Sequence, residues 1–235
     1  STENGVVTRT NGFRYNPLPT LTTVAPDNGP LTGGNTVVLT GTNLGGTVNV
    51  SFGAAQATVI SGSPDNTTLT VLAPAGTSAG LVDVTLFSST NGPAGKTGAY
   101  RYNPLPTLTL PLVPNSGPLA GGTDITINGT GFGGTVNVTV GGRTAVVQSV
   151  NAAKTQVVAR TPAGAAAIAV DVVLASTTNG NVTATAAFTY NPPPEIFTVA
   201  PATGPQIGGT VVVISGNNYF GTVNVTIGAV AATVL

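Results

Sequence analysis

The stretch Val48-Asn49-Val50-Ser51-Phe52 alternates apolar and polar residues. It returns as Val136-Asn137-Val138-Thr139-Val140 and as Val223-Asn224-Val225-Thr226-Ile227. A period of two puts the apolar side chains on one face, so each stretch reads as a β-strand buried on one side. Working outward, Tyr-Asn-Pro stands at 15–17, 102–104 and 190–192, and each copy is followed by a Gly-Pro pair (29–30, 117–118, 204–205). A Gly-Gly pair comes next (33–34, 121–122, 208–209), then Thr-Val-Asn-Val at 47–50, 135–138 and 222–225. Several independent markers recurring every 87 or 88 residues define a tandem array.

Each repeat reads as all-β. Val82, Val84 and Leu86 alternate around Asp83 and Thr85, and Val170-Asp171-Val172 repeats the pattern. Phe13 and Tyr15, Tyr100 and Tyr102, and Phe188 and Tyr190 sit two apart, so each pair faces one way, and the expected direction is the core. Asn4-Gly5, Asn91-Gly92 and Asn179-Gly180 share one repeat position and mark a tight hairpin turn between the last two strands. About seven strands per repeat and no helical periodicity point to an immunoglobulin-like sandwich.

Composition narrows function. The 235 residues carry seven basic and seven acidic side chains, where about a quarter charged is ordinary, and they include no His, Cys, Met or Trp. Without His or Cys there is no imidazole base, no thiolate and no ordinary zinc or copper site, so no enzyme is expected and no cofactor or metal. Zero net charge argues against nucleic acid as a partner. No stretch approaches the roughly 18 apolar residues of a membrane span. Without cysteine there are no disulfides, and the core alone must hold the fold.

The run Pro26-Asp27-Asn28-Gly29-Pro30-Leu31-Thr32-Gly33-Gly34-Asn35-Thr36-Val37 resembles the opening signature of the IPT/TIG domain. So do Gly41-Thr42-Asn43-Leu44, the Val-x-Val-x-Phe-Gly of residues 48–53, Pro74-Ala75-Gly76 and the closing aromatic-x-Tyr. The resemblance implies immunoglobulin-like sandwiches of the kind found in prokaryotic surface proteins, plexin-like receptor ectodomains, Rel-type transcription factors and starch-acting enzymes. A shared fold does not choose among these roles.

Aligned on Tyr-Asn-Pro, residues 1–15 are expected to be the last strand of a preceding incomplete domain. Residues 16–102 and 103–190 are expected to be two complete domains, and 191–235 the N-terminal half of a further one. The expected reason is a window on a longer array; the competing expectation is an open last domain completed by a strand from another subunit. Asn-Pro-Leu-Pro or Asn-Pro-Pro-Pro leads directly from one repeat to the next, and proline stiffens such a junction. The expected architecture is therefore tandem β-sandwiches arranged as a rod.

Candidate sites are few. Asp83 and Asp171 are equivalent, and Asp27, Asp65 and Asp124 fall where the other repeats are not acidic; all are expected to be solvated charges. Glu195 and Asp27 lie near junctions, with nothing to make them a metal site. The glycine pairs precede strands, so turn geometry explains them better than phosphate binding. Arg9, Arg14 and Arg101 are too few for an anion groove. Tyr219-Phe220 breaks the repeat pattern, with loop or core packing the expected reason. Asn49, Asn137 and Asn224 occupy the outward slot of one strand and each begins an Asn-Val-Ser/Thr acceptor triplet, and Asn66, Asn128 and Asn181 begin three more. These six are the candidate N-glycosylation sites.

A surface of Thr, Asn, Gly and Ala with no net charge lacks the repulsion that keeps most proteins apart, so it is expected to self-associate or be coated. The expected role is a rigid extracellular fibre, filament or adhesin stalk at a cell surface. The alternatives are a surface array recognising a glycan or protein receptor, or accessory domains of a secreted polysaccharide-acting enzyme.

Overall fold

A computed structural model describes residues 4–235 as an all-β chain, with no helix among them. The first complete repeat consists of β1 (Thr20–Ala25), β2 (Asn28–Pro30), β3 (Thr36–Thr42), β4 (Val48–Phe52), β5 (Ala55–Gln56), β6 (Thr58–Gly62), β7 (Thr68–Leu72), β8 (Gly80–Ser88) and β9 (Gly92–Asn103). They form two sheets, β1-β3-β7-β6 and β2-β9-β8-β4-β5. Val37, Leu39 and Val71 of the first sheet meet Val50, Val84, Tyr100 and Tyr102 of the second in a single core, all at most 1% exposed. The alternation in β4 and β8 thus buries the side predicted for it.

The second repeat consists of β10 (Thr107–Val113), β11 (Ser116–Pro118), β12 (Asp124–Thr130), β13 (Val136–Val140), β14 (Arg143–Val150), β15 (Gln156–Arg160), β16 (Ala169–Ser176) and β17 (Gly180–Asn191). Its strands run β10-β12-β15-β14-β13-β16-β17-β11. The apparent single sheet arises because β14 changes partners: Arg143–Ala145 pair with β13, and Val146–Val150 with β15. In the first repeat, β5 and β6 divide this task on either side of Ala57. Ala57 and its equivalent Ala145 are buried at the corner.

The strand count exceeds seven for two reasons. This corner splits one strand in two, and Gly-Pro supplies the short β2 and β11, which pair in parallel with the last strands β9 and β17. The expected hairpin turn is present: Ser88 pairs with Gly92, and Gly92 takes φ +89 after a three-residue connection.

Beyond residue 191, β18 (Glu195–Ala200) pairs with β19 (Val213–Asn217), and β20 (Val225–Ile227) with β21 (Val230–Ala232). Ile196, Phe197, Ile207 and Val213 are exposed there. At the other end the structure differs from expectation. The expected strand over residues 1–15 lies partly outside the described residues, and 4–15 form turns and irregular chain. Phe13 and Tyr15 are 76% and 87% exposed rather than buried, their rings edge-to-face at 4.9 Å. Their counterparts are buried by strands of their own repeat, and no described strand pairs with residues 4–15.

The same contacts lock the core of both repeats. The hydroxyls of Tyr102 and Tyr190 donate to the Pro74 and Pro162 carbonyls, each at 2.7 Å. The ring lies flat on Gly76 or Gly164, where an added Cβ would stand 2.8 or 2.7 Å from it. Pro-Ala-Gly and the closing Tyr are therefore two halves of one contact. Gly33 and Gly121, first of each Gly-Gly pair, take φ +67 and +77, and a Cβ added to either would stand 2.4 Å from the backbone of Pro74 or Pro162. That is turn geometry, as the sequence predicted.

Candidate functional site

The outward face of β4, β8 and β9 carries the most distinctive side chains of the surface. Asn49 pairs across the ladder with Phe87, and Phe87 pairs with Pro93. The next row is Ser51, Thr85 and Gly95. Because β8 turns Val84 and Leu86 inward, Phe87 must point out, and it is 54% exposed. These residues line an open depression of 540 Å3 without a charged side chain. The Asn49 Oδ1 accepts a long hydrogen bond from Gln56 Nε2 at 3.5 Å. The face thus sets an apolar ring beside hydroxyl and amide groups, an arrangement suited to a neutral, amphipathic ligand.

The sequence itself carries the signal for Phe87. Alternation puts it outward, and its repeat counterpart is Ala175, so it is not part of the shared core. Among the acceptor asparagines, Asn49, Asn137 and Asn181 are exposed on strands. Asn224 is exposed but lies just before β20 rather than within it. Asn66 sits in a turn at φ +57, and its carbonyl accepts from Leu44 N–H at 2.8 Å. Asn128 is only half-exposed, with its Oδ1 accepting from Gln156 Nε2 at 3.0 Å.

The carboxylates do more than meet water. Asp83 Oδ1 accepts from Gly98 N–H and Asp171 Oδ1 from Ala186 N–H, each at 2.8 Å. Both amides lie in left-handed residues, φ +56 and +51. In the first repeat this is a bulge: Val82 pairs with Tyr100 but Val84 with Lys96. Asp65 accepts from Ser63 and Thr67, and these bonds hold its carboxyl below the usual value. Asp124 takes two 2.8 Å bonds from Arg160, which lower its pKa and raise that of the arginine. Asp27 accepts from Asn28 Nδ2, and Glu195 opens β18. No group of three or more metal-ligating side chains exists among the described residues. Among the described residues, no helix is long and apolar enough to cross a membrane. Tyr219 and Phe220 are 38% and 60% exposed, with the Tyr219 hydroxyl over Gly216, so loop packing accounts for the tyrosine.

A second recurrent feature concerns the linkers. Asn91 Nδ2 donates to the Pro17 carbonyl at 2.9 Å, and Asn179 Nδ2 to the Pro104 carbonyl at 3.0 Å. In return Asn16 Nδ2 donates to the Thr90 carbonyl at 3.0 Å, and Asn103 Nδ2 to the Thr178 carbonyl at 2.9 Å. Asn43 and Asn218 add bonds to the Leu18 and Pro193 carbonyls, each 3.1 Å. Residues up to Pro106 form one compact unit with 133–135 and 176–181, so each reciprocal pair lies within it. The hairpin asparagine therefore has two duties: shaping the turn and gripping the linker that enters its own repeat.

Comparison with known proteins agrees with this anatomy. The IPT/TIG domain profile matches residues 19–102 and 109–190. Plexin-2 of Caenorhabditis elegans is 25% identical over 207 residues, which cover 85% of this chain and 11% of that protein. A structure of the full Plexin A4 extracellular region superposes with a TM-score of 0.54 at 21% identity, covering 84% of this chain and 18% of the other. A second Plexin A4 extracellular structure gives 0.52 at 20% identity, covering 80% and 19%. The chain thus spans only a small part of the length of these relatives. With the profile covering nearly all of both complete sandwiches, the chain belongs to the IPT/TIG domain family.

Proposed function

We propose that this chain is part of an extracellular structural array, a fibre or stalk in which each sandwich adds length and a gripped linker adds stiffness. The observation that carries the reading is the reciprocal asparagine clamp, made at Asn16 and Asn91 and made again at Asn103 and Asn179. At each linker two hydrogen bonds and the adjacent prolines restrict the few dihedral angles through which a repeat turns on its linker. The likeness to plexin extracellular segments supports an extracellular setting. The inventory without His or Cys supports a role without catalysis, cofactor or metal. Partners on this reading are neighbouring repeats and further copies of the chain, drawn together by an uncharged surface.

Small-angle scattering of the chain and of an Asn91→Ala/Asn179→Ala variant tests the array reading. A stiff array gives a single extended form for the parent and a broader distribution of distances for the variant. Indistinguishable, broadly distributed profiles overturn it. A second reading, a surface array that recognises a glycan or receptor, rests on exposed Phe87 beside Asn49. Titration with neutral oligosaccharides, followed through resonances of Phe87, separates the two.

A further inference from the structure

We propose that Asn49 is a glycan attachment site and that Phe87 is the seat of its first sugar ring. Three observations converge on one row of the sheet. Asn49 heads the triplet Asn49-Val50-Ser51 and is exposed at an outward strand position. Its direct cross-strand neighbour is Phe87, more than half exposed, and the next residue in the row is Pro93. The depression they line is uncharged, and the nearby Lys96 ammonium is engaged by the Thr22 carbonyl.

A pyranose has one face of C–H groups and a rim of hydroxyls. The C–H face fits the phenyl ring, and Ser51, Thr85 and Gln56 offer partners for the rim. A lone aromatic on a shallow surface holds a free sugar weakly. A sugar linked at Asn49 is delivered intramolecularly, at an effective concentration in the millimolar range for a short tether, and so fills the seat. Attachment requires a lipid-diphosphate-linked oligosaccharide as donor. The Asn49 amide nitrogen bonds to the anomeric carbon and gives up one proton, while the anomeric C–O bond breaks and the lipid diphosphate leaves with the electron pair. The proposal rests on the extracellular reading only for the compartment in which this transfer occurs.

The second repeat provides an internal reference. Asn137 occupies the position of Asn49, but Ala175 replaces Phe87. A sugar on Asn137 has no ring to sit on.

The test secretes the 235-residue chain from a host that glycosylates Asn-x-Ser/Thr, together with Phe87→Ala and Asn49→Gln. Glycopeptide mass spectrometry is expected to find the Asn49 peptide occupied and the Asn49→Gln peptide bare. In proton spectra the first sugar on Asn49 is expected to shift upfield from the phenyl ring current. The shift should vanish in Phe87→Ala and be absent from the sugar on Asn137. A bare Asn49, or an upfield shift that survives Phe87→Ala, overturns the proposal. So does a free oligosaccharide that perturbs Phe87 as strongly in the unglycosylated chain, since seating would then need no attachment. Scattering of the unglycosylated chain tests the array reading separately, so the two ideas fail independently.

Discussion

At the scale of the residue, the repeats serve as controls for one another. Tyr100 is fully buried and its hydroxyl donates to Asn35 Oδ1 at 2.9 Å, while Asn35 Nδ2 is buried without a partner. The second repeat has Phe188 and Thr123 at these positions, so both members of the pair differ together. Tyr100→Phe leaves the asparagine oxygen unpaired as well, and is expected to cost about 1–3 kcal/mol. Adding Asn35→Thr should recover most of that loss, and denaturant unfolding followed by circular dichroism reads the cycle. Tyr102 provides a pH prediction: burial first, then the neighbouring Tyr100, pushes its hydroxyl up to about 12. A raised pKa means the neutral form is favoured by folding, so this contribution is complete below the ordinary tyrosine value near 10 and is lost as pH rises toward 12. Absorbance at 295 nm should show a late ionisation phase accompanying alkaline unfolding, and Tyr102→Phe should diminish it.

At the scale of the element, the bulge opposite Asp83 and its counterpart at Asp171 show how one carboxylate serves a strand. Gly98 meets the left-handed requirement without strain, whereas Ala186 meets it at φ +51 with a Cβ. Ala186→Gly is therefore expected to stabilise the second repeat by about 0.5–1 kcal/mol, and Gly98→Ala to destabilise the first by a similar amount. Thermal unfolding of the two single variants tests the opposite signs. Asp171→Ala should destabilise by about 1–2 kcal/mol, because the Ala186 amide loses its acceptor. On the adjacent sheet of the same repeat, Asp124 and Arg160 join β12 to β15. Their bond lowers the Asp124 pKa, so its contribution is present above the ordinary carboxylate value near 3.8 and is lost as pH falls below it. Asp124→Asn should flatten that acid limb in a pH series of unfolding midpoints.

At the scale of the whole molecule, the dominant stabilisation is apolar burial within each sandwich. Arg160–Asp124 is the one salt bridge among the described residues, and both side chains are about half exposed. An exposed pair contributes little and is screened by salt. Raising ionic strength from about 0.05 M to about 0.5 M is therefore expected to leave the thermal midpoint within about 2 °C, read by circular dichroism. Removing the Asn91 and Asn179 linker bonds should instead alter scattering while the midpoint changes little, since these asparagines hold exposed linkers rather than core.

Period, strand faces and the family were legible in residues alone, because alternation and turn chemistry are local: Val50 and Val84 face inward for the same reason that Asn49 and Asp83 do not. The outward direction of Phe87 was equally local, since the residue follows an inward Leu86. What only the tertiary structure decided were relations between residues far apart in the chain. Tyr102 finds the Pro74 carbonyl, Asp83 holds the amide of Gly98, and Asn91 grips Pro17 because folding brings distant backbone groups to these side chains. The same dependence explains the misplaced aromatics: the spacing of Phe13 and Tyr15 sets a common face, but burial of that face requires neighbouring strands, and no described strand stands beside them.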